Sequence, residues 1–202
     1  MATTSWYDVT DGGLETLQRS LIPLESDTKN QRSYNPMIIP GLLQTHDYAQ
    51  AILTKCSAVL EFPDDSEATA IARMERQNVL DQPGHEFHML IGEAALRLTV
   101  GSSEVMAAQI RQLADVLTAR EHVRIGIIPL NAEFVAPAIN FVLNDTTSAD
   151  SEAITGPIEN TESAEIELVE RTFNLLATTA VYGEEAHAIL TRALASHTES
   201  GI

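Results

Sequence analysis

Apolar residues recur along this chain with two different periods, and the change of period divides it. Leu14, Leu17, Leu21, Ile22 and Leu24 fall near helical spacing. Pro23 lies inside this stripe; its missing N–H and its ring clash predict an interruption rather than one continuous helix. Asp11-Gly-Gly13 marks a break before it. Asn35-Pro36 and Pro40-Gly41 bracket Met37-Ile-Ile39. Each proline drives the preceding residue towards extended backbone, so a short extended connector is expected. Thr45 with Asp47 opens a helix whose inward face is Tyr48, Ala51, Ile52 and Val59. Another follows over residues 65–80, opened by Ser66-Glu-Ala-Thr69, faced by Ala70, Ile71, Met74 and Val79, and closed by Gln82-Pro-Gly84.

Beyond residue 82 the pattern is mixed. Residues 86–91 partly alternate and predict a strand; Gly92 to Leu98 either continues it or turns into a short helix. Ser102 opens a helix with Val105, Met106, Ile110, Leu113 and Leu117 along one face. Val123 to Leu130 is the clearest strand, rich in β-branched residues and closed by Pro129, and Ile139 to Leu143 is a second. A third, Glu152 to Ile158, contains Gly156-Pro157 and is restricted to an edge or a bulge. Asn144 to Asp150 reads as a long loop, and helices are predicted from Ala164 to Thr178 and from Gly183 onward. The whole predicts an α+β single domain, 1–202. Its helical N-terminal portion, 1–82, precedes a mixed core, 83–202, in which a small, mostly antiparallel sheet carries helices on one face.

Composition narrows the partners. A chain of 202 residues with 44% hydrophobic positions can bury a substantial core. Its net charge is −17, distributed as −2 over residues 1–60, −5 over 61–130 and −10 over 131–202. Such a surface repels phosphate backbones, so this chain alone is not expected to bind nucleic acid. Cys56 is the only cysteine, which excludes an intrachain disulfide, and its place late in a helix favours a packed thiol. No apolar run approaches the roughly 20 residues that span a bilayer, and no signal-peptide pattern opens the chain. A cytoplasmic protein without a membrane partner is expected.

Chemical motifs are scarce. The chain has no Gly-rich phosphate cradle, Cys-x-x-Cys, His-Glu-x-x-His or nucleophile elbow, so neither a cofactor nor a metal is expected. His85 and His88 lie three residues apart at a strand start, which directs them to opposite faces and disfavours a metal pair. Glu184, Glu185 and His187 read as a surface helix start. Glu93 stands out as a carboxylate inside the apolar run Leu90-Ile-Gly-Glu-Ala-Ala-Leu-Arg97, where burial demands a cationic partner: Arg73, Arg76 or Arg97. Either it clasps a helical layer to the sheet, or it lines an apolar cleft. The candidate ligand-binding set is then Tyr34, Gln44, Arg76, Glu93, Arg97 and Asn140, with residues 133–140 at the rim. Packing and capping around Pro40-Gly41 is the competing role for Tyr34, Gln44 and Tyr48. If the chain is catalytic, Glu93 or Glu133 is the candidate acid/base.

Three phrases, in order, carry a family resemblance: Arg32-Ser-Tyr-Asn-Pro-Met-Ile-Ile-Pro-Gly-Leu-Leu-Gln-Thr-His-Asp-Tyr-Ala49, Ala72-Arg-Met-Glu-Arg-Gln77 and Ile91-Gly-Glu-Ala-Ala-Leu-Arg97. They resemble the large C-terminal domain, of unknown function, of actinobacterial XRE-type helix-turn-helix regulators, which are often termed antitoxin-like. The resemblance runs from about Trp6 to about Leu194. It implies a domain that receives a signal or binds a small partner protein, with a homodimer as one arrangement. The preceding helix-turn-helix is expected to be missing, the chain opening where the second domain normally begins. Two stretches depart from the pattern. Ile128-Pro-Leu-Asn-Ala-Glu-Phe-Val-Ala-Pro137 replaces a Gly/His-rich loop, and Ser151-Glu-Ala-Ile-Thr-Gly156 replaces a Val-Tyr-Val-Glu-like strand. The expected function is therefore noncatalytic sensing of a ligand or partner protein. The alternative is a small cofactor-independent cyclase or isomerase of secondary metabolism.

Overall fold

The computed structural model describes residues 4–10 and 13–199; Asp11 and Gly12 of the expected break lie outside them. A short helix α1, Trp6–Val9, precedes α2, Leu14–Asp27, and strand β1, Asn30–Asn35. A 3-10 turn at Gly41–Leu43 then leads into α3, His46–Leu60, and α4, Ser66–Arg76, which tightens into 3-10 geometry over Gln77–Asp81. Strand β2, Glu86–Gly92, short helix α5, Glu93–Arg97, helix α6, Ser103–Ala119, and strand β3, Val123–Ile128, follow. The chain finishes with β4, Phe141–Asn144, β5, Ser148–Ala153, β6, Gly156–Asn160, α7, Ser163–Thr179, and α8, Gly183–Glu199.

The six strands form one sheet in the order β3-β2-β1-β4-β5-β6. Strands β1, β2 and β3 are mutually parallel, whereas β4, β5 and β6 add antiparallel neighbours. The α+β class, the leading helices and the mostly antiparallel pairing agree with the sequence reading. Helix coverage extends to both faces, not one. Phe87, Met89, Ile91, Ile125 and Ile127 face Ile110 and Leu113 of α6 and Ile189 and Leu190 of α8. The opposite face presents Leu90, Phe141 and Leu143 to Ile166, Phe173 and Leu176 of α7. Strand side chains alternate between faces, so a sheet with apolar positions of both parities requires two covers.

Four local expectations are corrected. First, Pro23 lies within a continuous α2. The proline removes one ladder bond, while the helix is tied to α4 on both sides of it. Gln18 Oε1 accepts from Arg73 Nε at 3.0 Å, and Glu25 takes Arg76 Nε and Nη2 at 2.9 and 2.5 Å. Of the expected stripe only Leu14 is buried, and the other buried positions of α2 are Gln18 and Glu25. Second, Asn30–Asn35 is the central strand, although the helical portion was expected to contain none. Its polar sequence gives no strand signal, and pairing with β2 and β4 imposes the conformation. Third, the expected loop at 144–150 is a tight turn opening β5, and Gly156-Pro157 begins a separate strand, β6, so one expected edge strand is a hairpin. Fourth, Val59 and Ile71, assigned to buried faces, are exposed, as is Cys56.

Capping follows the local chemistry. Thr45 and Ser102 cap α3 and α6 by accepting the amides of Tyr48 and Val105. Gly13 has no side chain to cap α2, and Asp65, at the start of α4, reaches across to accept the amides of Leu14 and Glu15 at 2.8 and 3.1 Å.

Candidate functional site

The parallel strands place one residue each in a single cross-strand row. Arg32 of β1 is in register with His88 of β2, which is in register with Arg124 of β3. Neighbouring strands lie ~4.8 Å apart, so the two arginines leave the sheet about 10 Å apart, on either side of the imidazole. All three share the face covered by α7. They line an open cleft of about 550 Å³ near the amino-terminal ends of these strands, with Asn30, Glu86 and Thr146 also on its wall. Only 12 residues of the chain are lysine or arginine, and two of them meet here, opposite the carboxylates Glu86 and Asp145 of the same lining.

Aromatic rings organise the row from below. Arg32 places its guanidinium 5.8 Å from the Phe173 ring centroid, and its Nη1 donates to Glu170 of α7 at 2.7 Å. Arg124 stacks 4.2 Å over the ring of Tyr182. His88 meets Phe173 edge-on at 4.9 Å, and its Nε2 lies 2.9 Å from the Tyr182 hydroxyl. Gly126 makes this arrangement possible. A Cβ there would stand 2.7 Å from Tyr182 and 2.9 Å from Leu90, so the absent side chain is the space in which the tyrosine lies.

Electrostatics follow from the packing. Burial, then the fields of Arg124 and Arg32, push the His88 pKa down to about 4, which leaves the imidazole neutral at pH 7. Burial raises the Tyr182 phenol above its ordinary value against the opposing pull of Arg124. Asp145 at the cleft floor is committed to structure: it accepts the amides of Lys29 and Asn30 at 3.0 and 2.7 Å. Two guanidiniums, one neutral imidazole and a hydroxyl can bind a small oxyanion, because each arginine offers planar paired donors and the flanking rings limit hydration of the charge.

The residues singled out from sequence fall into separate groups. Gln44 is buried beside the Pro40-Gly41 turn, donating to Ile39 O and accepting from Arg73 Nη1, both at 2.7 Å. Tyr48 Oη accepts the Ile39 amide at 3.2 Å. These are the packing and capping contacts weighed above. Arg76 is committed to Gln18 and Glu25 between α2 and α4, away from Glu93. Glu93 pairs with Arg97 at 2.8 Å and accepts the Leu130 amide at 3.2 Å. Burial works to raise its pKa, and these hydrogen bonds outweigh it and hold the carboxyl below its usual range. Oε2 thus clasps α5 to the exit of β3, while Oε1 is held by Arg97 of the same helix. Asn140 donates to Glu152 at 3.2 Å, and Glu133 is exposed on the 129–140 segment. Tyr34 shares the α7 face and lies two residues along β1 from Arg32, packed against Phe141. The expected cleft does not gather these six side chains, since Gln44 and Arg76 serve the helical layer while Tyr34, Glu93, Arg97 and Asn140 lie towards the carboxyl ends of the parallel strands.

Sequence reasoning missed Arg32, His88 and Arg124 as a set. The legible signal was a basic side chain at one alternate position in each strand. It became a row only once β1 was known to be a strand. His85 is separate from His88, as the three-residue step implied: its Nε2 lies 3.0 Å from Ser26 O. Among the described residues no group of three His, Cys, Asp or Glu is disposed to hold a metal ion. No described helix is long and apolar enough to cross a membrane. A smaller hollow, about 360 Å³, lies between the end of α6 and the start of α8, but His187 is its only imidazole and no arginine lines it.

Residues 18–192 match the family described as DUF5753, a domain of unknown function. The chain belongs to that family. No curated protein and no solved structure matches it.

Proposed function

We propose that this chain is a noncatalytic sensing domain of the regulator type and that its ligand is a small anion held in the cleft of Arg32, His88 and Arg124. The observation that carries this reading is the cross-strand register, which sets two guanidiniums around a neutral imidazole in a protein of net charge −17. Structural arginines between the helices are committed to internal partners, Arg76 to Glu25 and Arg73 to Gln18 and Gln44. Arg124, by contrast, makes no ion pair among the described residues and has an aromatic ring for its support. Concave sites with apolar walls and a few convergent polar groups are the usual setting for small ligands. Isothermal titration with inorganic phosphate, benzoate and phenyl phosphate tests the proposal. Wild-type protein is expected to bind at least one of them, and Arg124→Gln to weaken that binding at least tenfold, the effect of losing one charge-assisted contact. Equal affinities in the two proteins would remove the cleft from consideration.

A second reading is a cofactor-independent acid/base enzyme, favoured by the His88 Nε2 to Tyr182 hydroxyl distance of 2.9 Å at the cleft wall. It transfers the acid/base role from Glu93 and Glu133 to this pair. Binding that survives Tyr182→Phe while turnover of a bound compound disappears would favour it.

A further inference from the structure

We propose that the bound anion replaces Glu170 as the partner of Arg32, so that filling the cleft unfastens one turn of α7 from β1; the ligand class is an organic oxyanion, a carboxylate or a phosphate monoester. This rests on the cleft being the ligand site. The two arginines of the row differ in a way that makes the exchange specific. Arg124 is exposed, stacked on Tyr182 and unpaired among the described residues, and is therefore the anchor available to an incoming anion. Arg32 is already paired, through a single contact of 2.7 Å with Glu170, and the two side chains retain 22% and 38% of their exposure. A partly exposed pair held by one contact is a weaker interaction than a buried bidentate one. An anion anchored on Arg124 competes for Arg32 at high effective concentration, because the two arginines flank the same histidine.

The other charges around the row fix the ligand's character. Glu86 stands two residues before His88 on the same face of β2 and opposes highly charged ligands. Asp145 is occupied by the amides of Lys29 and Asn30 and leaves Arg32 and Arg124 to the ligand. Tyr182 and Phe173 lie beneath the row and hold Arg124, Arg32 and His88 in place, so the organic part of the ligand extends out through the open side of the cleft. Ile166, Phe173 and Leu176 keep α7 seated on the sheet after the exchange. The released element is thus the helical turn around Glu170, together with its carboxylate, which passes to the outer surface beside Glu167 and Arg171.

The experiment compares wild-type protein, Glu170→Gln and Arg124→Gln, using benzoate and phenyl phosphate as probes, with affinity by titration and backbone amide exchange of residues 167–173 by mass spectrometry or NMR. Glu170→Gln removes the internal competitor and is expected to bind the preferred probe about fivefold or more tightly. In wild-type protein the probe is expected to speed amide exchange around Glu170, and in Glu170→Gln that exchange is fast beforehand and insensitive to the probe. Preference for benzoate identifies the natural ligand as a carboxylate, and preference for phenyl phosphate as a phosphate monoester. Unchanged affinity in Glu170→Gln, with binding still dependent on Arg124, overturns the exchange and leaves the ligand site standing. Absence of binding to wild-type protein by either probe at about 10 mM overturns both. A thermal melt of each variant, expected within a few degrees of wild type, reads whether the fold is shared.

Discussion

His88 is a polar side chain held on a mostly apolar face, and the cost of that placement has a pH signature. The unfolded chain protonates the histidine near its ordinary value of 6.5, while the folded protein holds the pKa at about 4. Unfolded molecules therefore bind the proton first as pH falls, and the stability tied to neutral His88 is complete above pH 6.5 and lost on descent to pH 4. After allowance for partial exposure the loss is on the order of 2 kcal/mol. Urea unfolding at pH 7 and pH 4.5 should show a smaller decrease for His88→Gln than for wild type; an identical decrease would contradict neutral burial. Gly126 supplies a second check at the same scale. Gly126→Ala forces Tyr182 off β3, so we expect a loss of roughly 1–3 kcal/mol together with weakened anion binding, because Arg124 loses its ring support. A variant with wild-type stability and affinity would show that the tyrosine can move freely.

Among elements, α2 and α4 are joined by a buried ion pair as well as by the small apolar cluster that Leu14 and Ala70 share. Glu25 and Arg76 side chains are 7% and 9% exposed, and Gln18 adds to the same guanidinium. Removing one partner strands a charge, so Glu25→Leu alone is expected to cost about 3–5 kcal/mol, whereas Glu25→Leu with Arg76→Leu should recover most of that loss. Chemical denaturation of the two variants decides this, and equal stabilities would argue against the stranded-charge account. The same pair explains why the sequence misled about α2. Leu17, Leu21 and Leu24 suggested an apolar stripe broken at Pro23, but the face that is buried carries Gln18 and Glu25. Strand β3 was legible because its buried side chains are apolar and β-branched, and β2 because its buried residues are apolar and partly alternate. Strand β1 was not, since Gln31 and Ser33 are buried by neighbours that only the folded sheet provides.

For the molecule as a whole, the arrangement separates roles by face and by end. Glu93, whose burial did require a cation, turned out to be a clasp between α5 and Leu130, which its sequence context allowed but could not distinguish from a ligand group. The cleft residues were invisible for the opposite reason: Arg32, His88 and Arg124 lie 92 positions apart at the extremes and meet only through sheet order. An acidic surface around a small cleft that gathers two arginines also bears on ligand choice. It disfavours polyanions at long range while permitting a small anion to reach two arginines at contact distance. The most direct test of this account is an NMR titration of isotope-labelled protein with benzoate and phenyl phosphate, following the arginine side chains and the His88 ring. The account predicts saturable shifts concentrated at Arg32, His88 and Arg124 and abolished by Arg124→Gln; shifts scattered over the surface, or unchanged in that variant, would contradict it.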